Sequence, residues 1–298
     1  MIFFIQIQIK PSRLRLALIP RLFVFINMII LFITNYEKNK IICNLSDLPS
    51  LHSTTKLSIM KKLLFILFAL LSVTTFAQWE TITGNGNVKK ETRNVSGFDG
   101  VALAGNMNVQ LAYGNSNTIT VEGDENLLPY IETKVEDGLL QVRTRNKTGL
   151  KTKTKLMVYV SMTKITELRV SGSGNITGNG DFSNDGKTDI SVSGSGNINV
   201  GMNSFNETKI AISGSGNVTL KGKSTNNIDA TISGSGNIDC SDVACNDVFA
   251  HVSGSGNIKV FANKSIDAKV SGSGNIYYKG AATNLNIKSS GSGKIIKA

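Results

Sequence analysis

The sequence predicts an all-β protein whose C-terminal half is a right-handed parallel β-helix of about 20-residue coils. Three observations predict it. Ser-Gly-Ser-Gly begins at Ser171, Ser193, Ser213, Ser233, Ser253, Ser271 and Ser290, at intervals of 22, 20, 20, 20, 18 and 19 residues. Apolar residues alternate with polar ones around every copy. The composition, with 29 Gly, 4 Pro and 7% aromatic residues, suits short strands joined by tight turns.

Each element follows from those columns. The residue before the motif is Val170, Val192, Ile212, Ile232, Val252 or Val270. Two positions earlier stand Leu168, Ile190, Ile210, Ala230, Ala250 and Ala268. After it come Ile176, Ile198, Val218, Ile238, Ile258, Ile276 and Ile295, then Val200, Leu220, Cys240, Val260 and Tyr278 two residues on. Such alternation marks half-buried strands, and one coil cannot bury its apolar face without neighbours. The connections are too short for helices between parallel strands, and a propeller blade takes about 40 residues. A stack of coils remains, and the general chirality of parallel crossovers makes it right-handed.

Inside the motif two geometries stay open. If alternation runs through it, the serines and the following Asn point outward and the glycines face inward, letting sheets approach closely. If the chain turns a corner there, Gly supplies positive φ and Asn tolerates the left-handed region. In both cases Asn175, Asn197, Asn217, Asn237, Asn257 and Asn275 recur once per coil and stack into a polar ladder. That ladder is the one candidate binding feature in the repeat. Lys294 replaces Asn in the last copy, and residues 290–298 read as a cap whose lysines discourage strand addition.

Residues 79–165 keep the β character without the strict repeat, and residues 166–298 carry it. Val101–Gly105, Met107–Tyr113, Ile119–Glu122, Ile131–Val135, Leu139–Arg145 and Leu156–Met162 read as strands, with a hairpin at Asp137-Gly138. Glu125–Tyr130 reads as a helical turn limited by Pro129. Ala104–Val109 is a degraded echo of the motif.

Arg93-Asn-Val-Ser-Gly-Phe-Asp-Gly-Val101, Asn108–Leu111, Val121-Glu-Gly-Asp-Glu-Asn-Leu-Leu128, Asp137-Gly-Leu-Leu140 and the Gly-Ser-Gly-Asn-Ile repeats together resemble the bacterial head GIN domain family. The resemblance covers residues 90–298. It implies a β-helical fold, an adhesin-like role and no catalytic residues. Auto-transport would need a C-terminal membrane barrel of alternating strands, which the residues after the last repeat do not spell, so self-export is not expected.

Residues 60–77 have the grammar of a secretory signal peptide: Met60-Lys61-Lys62, an apolar run from Leu63 to Val73, then Thr75 and Ala77 before Gln78. Residues 1–59 then read as a wrongly included upstream extension, and residues 78–298 as the mature domain. The run is too short for a permanent transmembrane span. The expected location is exported: periplasm, outer-membrane surface or extracellular.

The formal charge of +11 falls mostly outside that domain. Residues 1–77 carry nine Lys/Arg against two Asp/Glu, whereas residues 78–298 carry 23 against 19, a net +4. No nucleic-acid partner is expected from so balanced a surface.

Chemistry is sparse. His251 is the one histidine of residues 78–298 and shares an outward column with Arg169, Ser191, Ala211, Thr231, Lys269 and Lys288. Asp181, Asp185 and Asp189 lack the ligand pattern of a calcium loop. No catalytic residue, metal site or cofactor is expected. Cys240 and Cys245 are open to two readings, a small buried residue at Cys240 or a disulfide allowed by export. The function expected is an exported, non-catalytic envelope or surface module that binds glycan or protein through a repetitive face. A self-associating structural envelope protein, forming a homo-oligomer, is the alternative. A β-helical polysaccharide-degrading enzyme ranks third, because isolated Ser, Thr, Asn and Lys fill the outward columns where convergent acids would be needed.

Overall fold

A computed structural model describes residues 80–115, 118–146 and 148–298. The signal peptide read over residues 60–77 and the upstream extension 1–59 lie outside the described residues. The described residues are nearly all β, and their C-terminal part is a β-solenoid of about six turns.

The regular strands are β10 (Glu167–Gly172), β11 (Asn175–Gly194), β12 (Asn197–Gly214), β13 (Asn217–Gly222), β14 (Ser224–Gly234), β15 (Asn237–Gly254), β16 (Asn257–Gly272), β17 (Asn275–Lys279), β18 (Asn284–Gly291) and β19 (Ile295–Lys297). All pair in parallel, motif on motif: Ser171 with Ser193, Ser193 with Ser213, Ser213 with Ser233, and so to Ser290. Each coil runs up to the motif along a pre-corner face and turns at Ser-Gly-Ser-Gly. It then leaves along a post-corner face and closes through a return segment with register shifts.

Both geometries left open for the motif are used, one by each glycine. The first glycine turns the corner, with φ from +116° at Gly291 to +132° at Gly234. Its carbonyl then accepts two bonds from the next coil, as Gly194 O does from the Ser215 and Gly216 amides at 2.9 and 3.0 Å. The second glycine faces inward under the coil above. A Cβ on Gly236 would lie 2.1 Å from the Gly216 carbonyl oxygen. Any side chain would hold the coils apart and break their pairing.

The core is the set of columns the sequence spelled. Leu168, Val170, Ile176, Ile190, Val192, Ile198, Ile210, Ile212, Val218 and their counterparts up to Ile276 are at most 2% exposed. At roughly 1.5–3 kcal/mol for each large aliphatic side chain removed from water, these columns are the main drive for stacking. Phe182, Met202 and Phe205 fill the return side.

Stacking extends further toward the N-terminus than the repeat does. β3 (Gly100–Gly105) and β4 (Asn108–Tyr113) form a full coil beneath β10 and β11, with Gly105 under Gly172 and Asn108 under Asn175. Below them lie β7 (Leu139–Thr144) and β9 (Met157–Met162), also parallel. The order of coils in space is therefore not their order in sequence. The chain builds the second layer first, then passes beneath it and returns.

Antiparallel strands close this end. β6 (Ile131–Glu136) forms the expected hairpin with β7, turning through Asp137 at φ +52° and Gly138 at φ +75°. β5 (Thr118–Asp124) pairs antiparallel with β9 and with β2 (Val88–Asn94), and the helical turn is a 3-10 segment, η1 (Glu125–Tyr130). β1 (Glu80–Thr83) pairs with β8 (Thr148–Lys151).

A half-buried and a buried charge tie the cap together. The Arg93 guanidinium donates to the carbonyls of Leu128 (2.9 Å) and Ile131 (2.6 Å). The Asp124 carboxylate, 1% exposed, accepts from the amides of Gly86 (2.7 Å), Lys153 (2.9 Å) and Thr154 (3.1 Å). Burial alone would raise the Asp124 pKa, but the amide bonds outweigh it and hold the carboxyl below its ordinary value.

At the other end the lysine-marked copy differs from a complete cap. The Lys294 amide finishes the ladder by donating to Asn275 Oδ1 at 3.0 Å. Leu285, Ile287 and Ile296, whose columns are buried or half-buried one coil below, stay 46%, 42% and 38% exposed.

Candidate functional site

The predicted ladder exists, and it is a structural spine. Asn175 Nδ2 donates to Asn108 Oδ1 (2.8 Å), Asn197 to Asn175 (2.7 Å), Asn217 to Asn197 (2.8 Å), Asn237 to Asn217 (2.8 Å), Asn257 to Asn237 (3.0 Å) and Asn275 to Asn257 (3.2 Å). Asn108 is a rung the repeat spacing did not include, although the echo at Ala104–Val109 contained it. Each interior amide thus donates one bond to the coil before it and accepts one from the coil after it, which leaves less of it for a ligand.

A second, shorter ladder sits on the return side. Asn226 donates to Asn206 Oδ1, and Asn246 to Asn226 Oδ1 at 3.2 Å. Its sequence signal was a bare 20-residue interval without flanking motif. The same level explains the cysteines. Thr225 and Cys245 are register partners, and both donate to an Asn carbonyl of the coil below: Thr225 Oγ1 to Asn206 O at 2.5 Å, Cys245 Sγ to Asn226 O at 3.3 Å.

The disulfide reading is corrected accordingly. Cys240 and Cys245 are both free and buried, the first in the core and the second committed to backbone carbonyls, including Asp247 O at 3.1 Å. Burial pushes the Cys245 thiol up to about 12 and raises Cys240 as well, so neither is a ready nucleophile.

His251 lies in the outward pre-corner column expected for it, between Thr231 and Lys269. The neighbouring column runs Glu167, Asp189, Lys209, Asp229, Phe249, Asp267 and Asn286. Acids in one column thus face bases in the next across this face, as in the Arg169–Glu167 pair. Among the described residues no three His, Cys, Asp or Glu converge as metal ligands would. Asp181 and Asp185 are exposed, and Asp189 pairs with Lys187 at 3.1 Å.

The post-corner face is different. Its first outward column after the ladder reads Gln110, Thr177, Asn199, Thr219, Asp239, Lys259 and Tyr277. The next contains Gly201, Lys221, Phe261 and Lys279. Where Gly201 recesses the surface, a groove of about 290 Å³ is lined by Gln110, Thr177, Asn199 and Lys221. Further along, Lys259 and Phe261 on one coil meet Tyr277 and Lys279 on the next, so that base and aromatic ring alternate in both directions. Lys279 Nζ stands 5.2 Å from the Phe261 ring centre.

A separate cleft of about 540 Å³ lies where two segments of the sequence resemblance meet. Ser96–Asp99 and the Asp137-Gly138 turn line it with Ser161 and Thr166. The Asp99 amide donates to Gly138 O at 3.0 Å, and Asp99 O accepts from the Thr166 amide at 2.7 Å. These bonds make the segment a fastener between the hairpin and the first regular coil.

The fold and its outward faces define a β-solenoid scaffold. The chain belongs to the family described as putative auto-transporter adhesin, head GIN domain, which matches residues 97–282. Solved structures share the fold. A putative adhesin from Bacteroides fragilis superposes with a TM-score of 0.68 at 23% identity, covering 73% of this chain and 100% of that one. A putative lipid binding protein from Parabacteroides distasonis gives 0.62 at 24%, covering 74% and 100%. A putative adhesin from Parabacteroides merdae gives 0.57 at 24%, covering 74% and 99%. No curated protein matches the chain. Among the described residues no helix is long and apolar enough to cross a membrane.

Proposed function

We propose that this protein is an exported, non-catalytic surface module that binds an extended glycan or protein along the outward face of its solenoid. The observation that carries the reading is the division of labour between columns. Apolar columns and Asn ladders are consumed in holding coils in register, while other polar columns run from coil to coil with their side chains toward solvent. At about 4.8 Å per coil, such columns place one outward side chain after another at a polymer's scale of repeat. Membership in an adhesin-named family and the signal-peptide grammar of residues 60–77 support the same reading. A glycan array probed with the purified protein tests it: selective retention of a glycan class supports surface binding, and uniform silence removes glycan as the ligand.

The uncovered side chains Leu285 and Ile287 favour a second reading, end-on self-association as a structural envelope component. Concentration-dependent mass would support it.

A further inference from the structure

Resting on the surface-binding reading, we infer that the post-corner face is the binding face and that its ligand is an acidic polysaccharide lying along the stack axis. Three features of that face meet the three parts of such a polymer. Amide and hydroxyl side chains of Gln110, Thr177, Asn199 and Thr219 form the column that would hydrogen-bond sugar hydroxyls. Phe261 and Tyr277 are half-buried, so each is held by its neighbours while part of the ring remains open to an apolar sugar face. Lys221, Lys259 and Lys279 supply positive charge at intervals along the same path.

Charge decides between acidic and neutral polymers. Lys221 and Lys279 have no carboxylate partner among the described residues, and Lys259 has only an exposed, 3.8 Å contact to Asp239. The three lysines therefore face one carboxylate in these columns. On the pre-corner face acids and bases offset each other in adjacent columns, so an anionic chain gains little there. Seven coils separate Gln110 from Tyr277 inclusively, a path of about 29 Å at the stacking repeat, long enough for several sugar units. The recess at Gly201 gives the polymer a bed on this face, and its lining is polar, as a hydroxyl-rich ligand requires.

The test is equilibrium binding of the purified protein to polygalacturonate, with dextran as neutral comparison, at low and physiological salt. The expected result is binding to polygalacturonate, weakened by salt, with dextran bound at least about tenfold less tightly. Lys221→Gln/Lys259→Gln/Lys279→Gln should lose about tenfold or more, given three modest charge contacts. Phe261→Ala/Tyr277→Ala should lose a similar factor without changing the salt dependence. Lys209→Gln/Lys269→Gln/Lys288→Gln removes the same charge from the pre-corner face and should bind as wild type. Circular dichroism checks that all variants are folded. No binding to polygalacturonate, or equal loss in both lysine variants, overturns the inference. If the array nevertheless retains a neutral glycan, the surface-binding function stands and only this assignment falls; if nothing is retained, the glycan reading falls with it.

Discussion

Replacing Gly236 by alanine tests the stacking account at its tightest point. An added Cβ would meet the Gly216 carbonyl oxygen at 2.1 Å and Ile212 Cγ2 at 2.8 Å. An acceptable carbon–oxygen contact begins near 3.3 Å, so the two coils would have to part by about 1 Å. They are held by the Gly236 amide on Gly214 O, the Asn237 amide on Gly216 O, both 3.2 Å, and the Asn237–Asn217 side-chain bond at 2.8 Å. Overpacking costs about 1–3 kcal/mol. Losing one or two of these bonds adds about 1 kcal/mol each, for a total near 4 kcal/mol. In a domain of this size that corresponds to a fall of about 10 °C in melting temperature. Ser235→Ala, one residue away on an exposed side chain, should stay within about 0.5 kcal/mol of wild type. Thermal melts followed by circular dichroism measure both. A Gly236→Ala protein melting within about 2 °C of wild type would refute the close approach of coils at this glycine.

Asn217→Ala removes one acceptor and one donor from the ladder and should cost about 1–2 kcal/mol in denaturant unfolding, because the bonds to Asn197 and Asn237 both go. The thiols of Cys240 and Cys245 should stay silent to Ellman's reagent at pH 8 in the folded protein and titrate as two on unfolding. Because folding raises their pKa values, the stability they contribute is present below the ordinary thiol pKa and declines at alkaline pH, as pH rises toward the folded value. Asp124 has the opposite sign. Its folded value is depressed, so its contribution is present above the ordinary carboxyl pKa and disappears as pH falls through the folded one. Asp124→Asn should destabilise by about 2 kcal/mol at pH 7, with the gap to wild type closing in acid unfolding titrations.

The fold was legible wherever one side of a strand is buried, because burial enforces alternation. The columns through Ile176 to Ile276 and the hairpin at Asp137-Gly138 were readable for that reason. Strand β2 was not: Val88–Asn94 lies on the rim, with exposed or half-exposed side chains on both sides, so Val88-Lys-Lys-Glu shows no period. The out-of-order coil at Gly100–Tyr113 was also beyond reach, since spacing along the chain says nothing about which layer a segment enters.

Of the candidate sites, the Asn ladder was legible as geometry, because its residues recur once per coil; that each amide spends one donor and one acceptor on its neighbours appears only with the coils in register. The post-corner face was hidden by the varied identities in its columns. Lys259, Phe261, Tyr277 and Lys279 converge only once the 18-residue step between their coils is set in register. Whether Cys240 and Cys245 pair stayed open in the sequence, which does not show that Cys245 occupies a column of backbone-bonded donors with Thr225.

The most direct test of the account compares faces in one adhesion assay, on the glycan class the array selects. Three folded variants enter it: the post-corner lysine triple, the pre-corner lysine triple, and Asp99→Asn/Asp137→Asn in the cleft. The account predicts that the post-corner variant alone loses retention and that the glycan is recovered uncleaved. Loss confined to the cleft variant, or release of shortened glycan by wild type, would contradict it and place the function in the cleft.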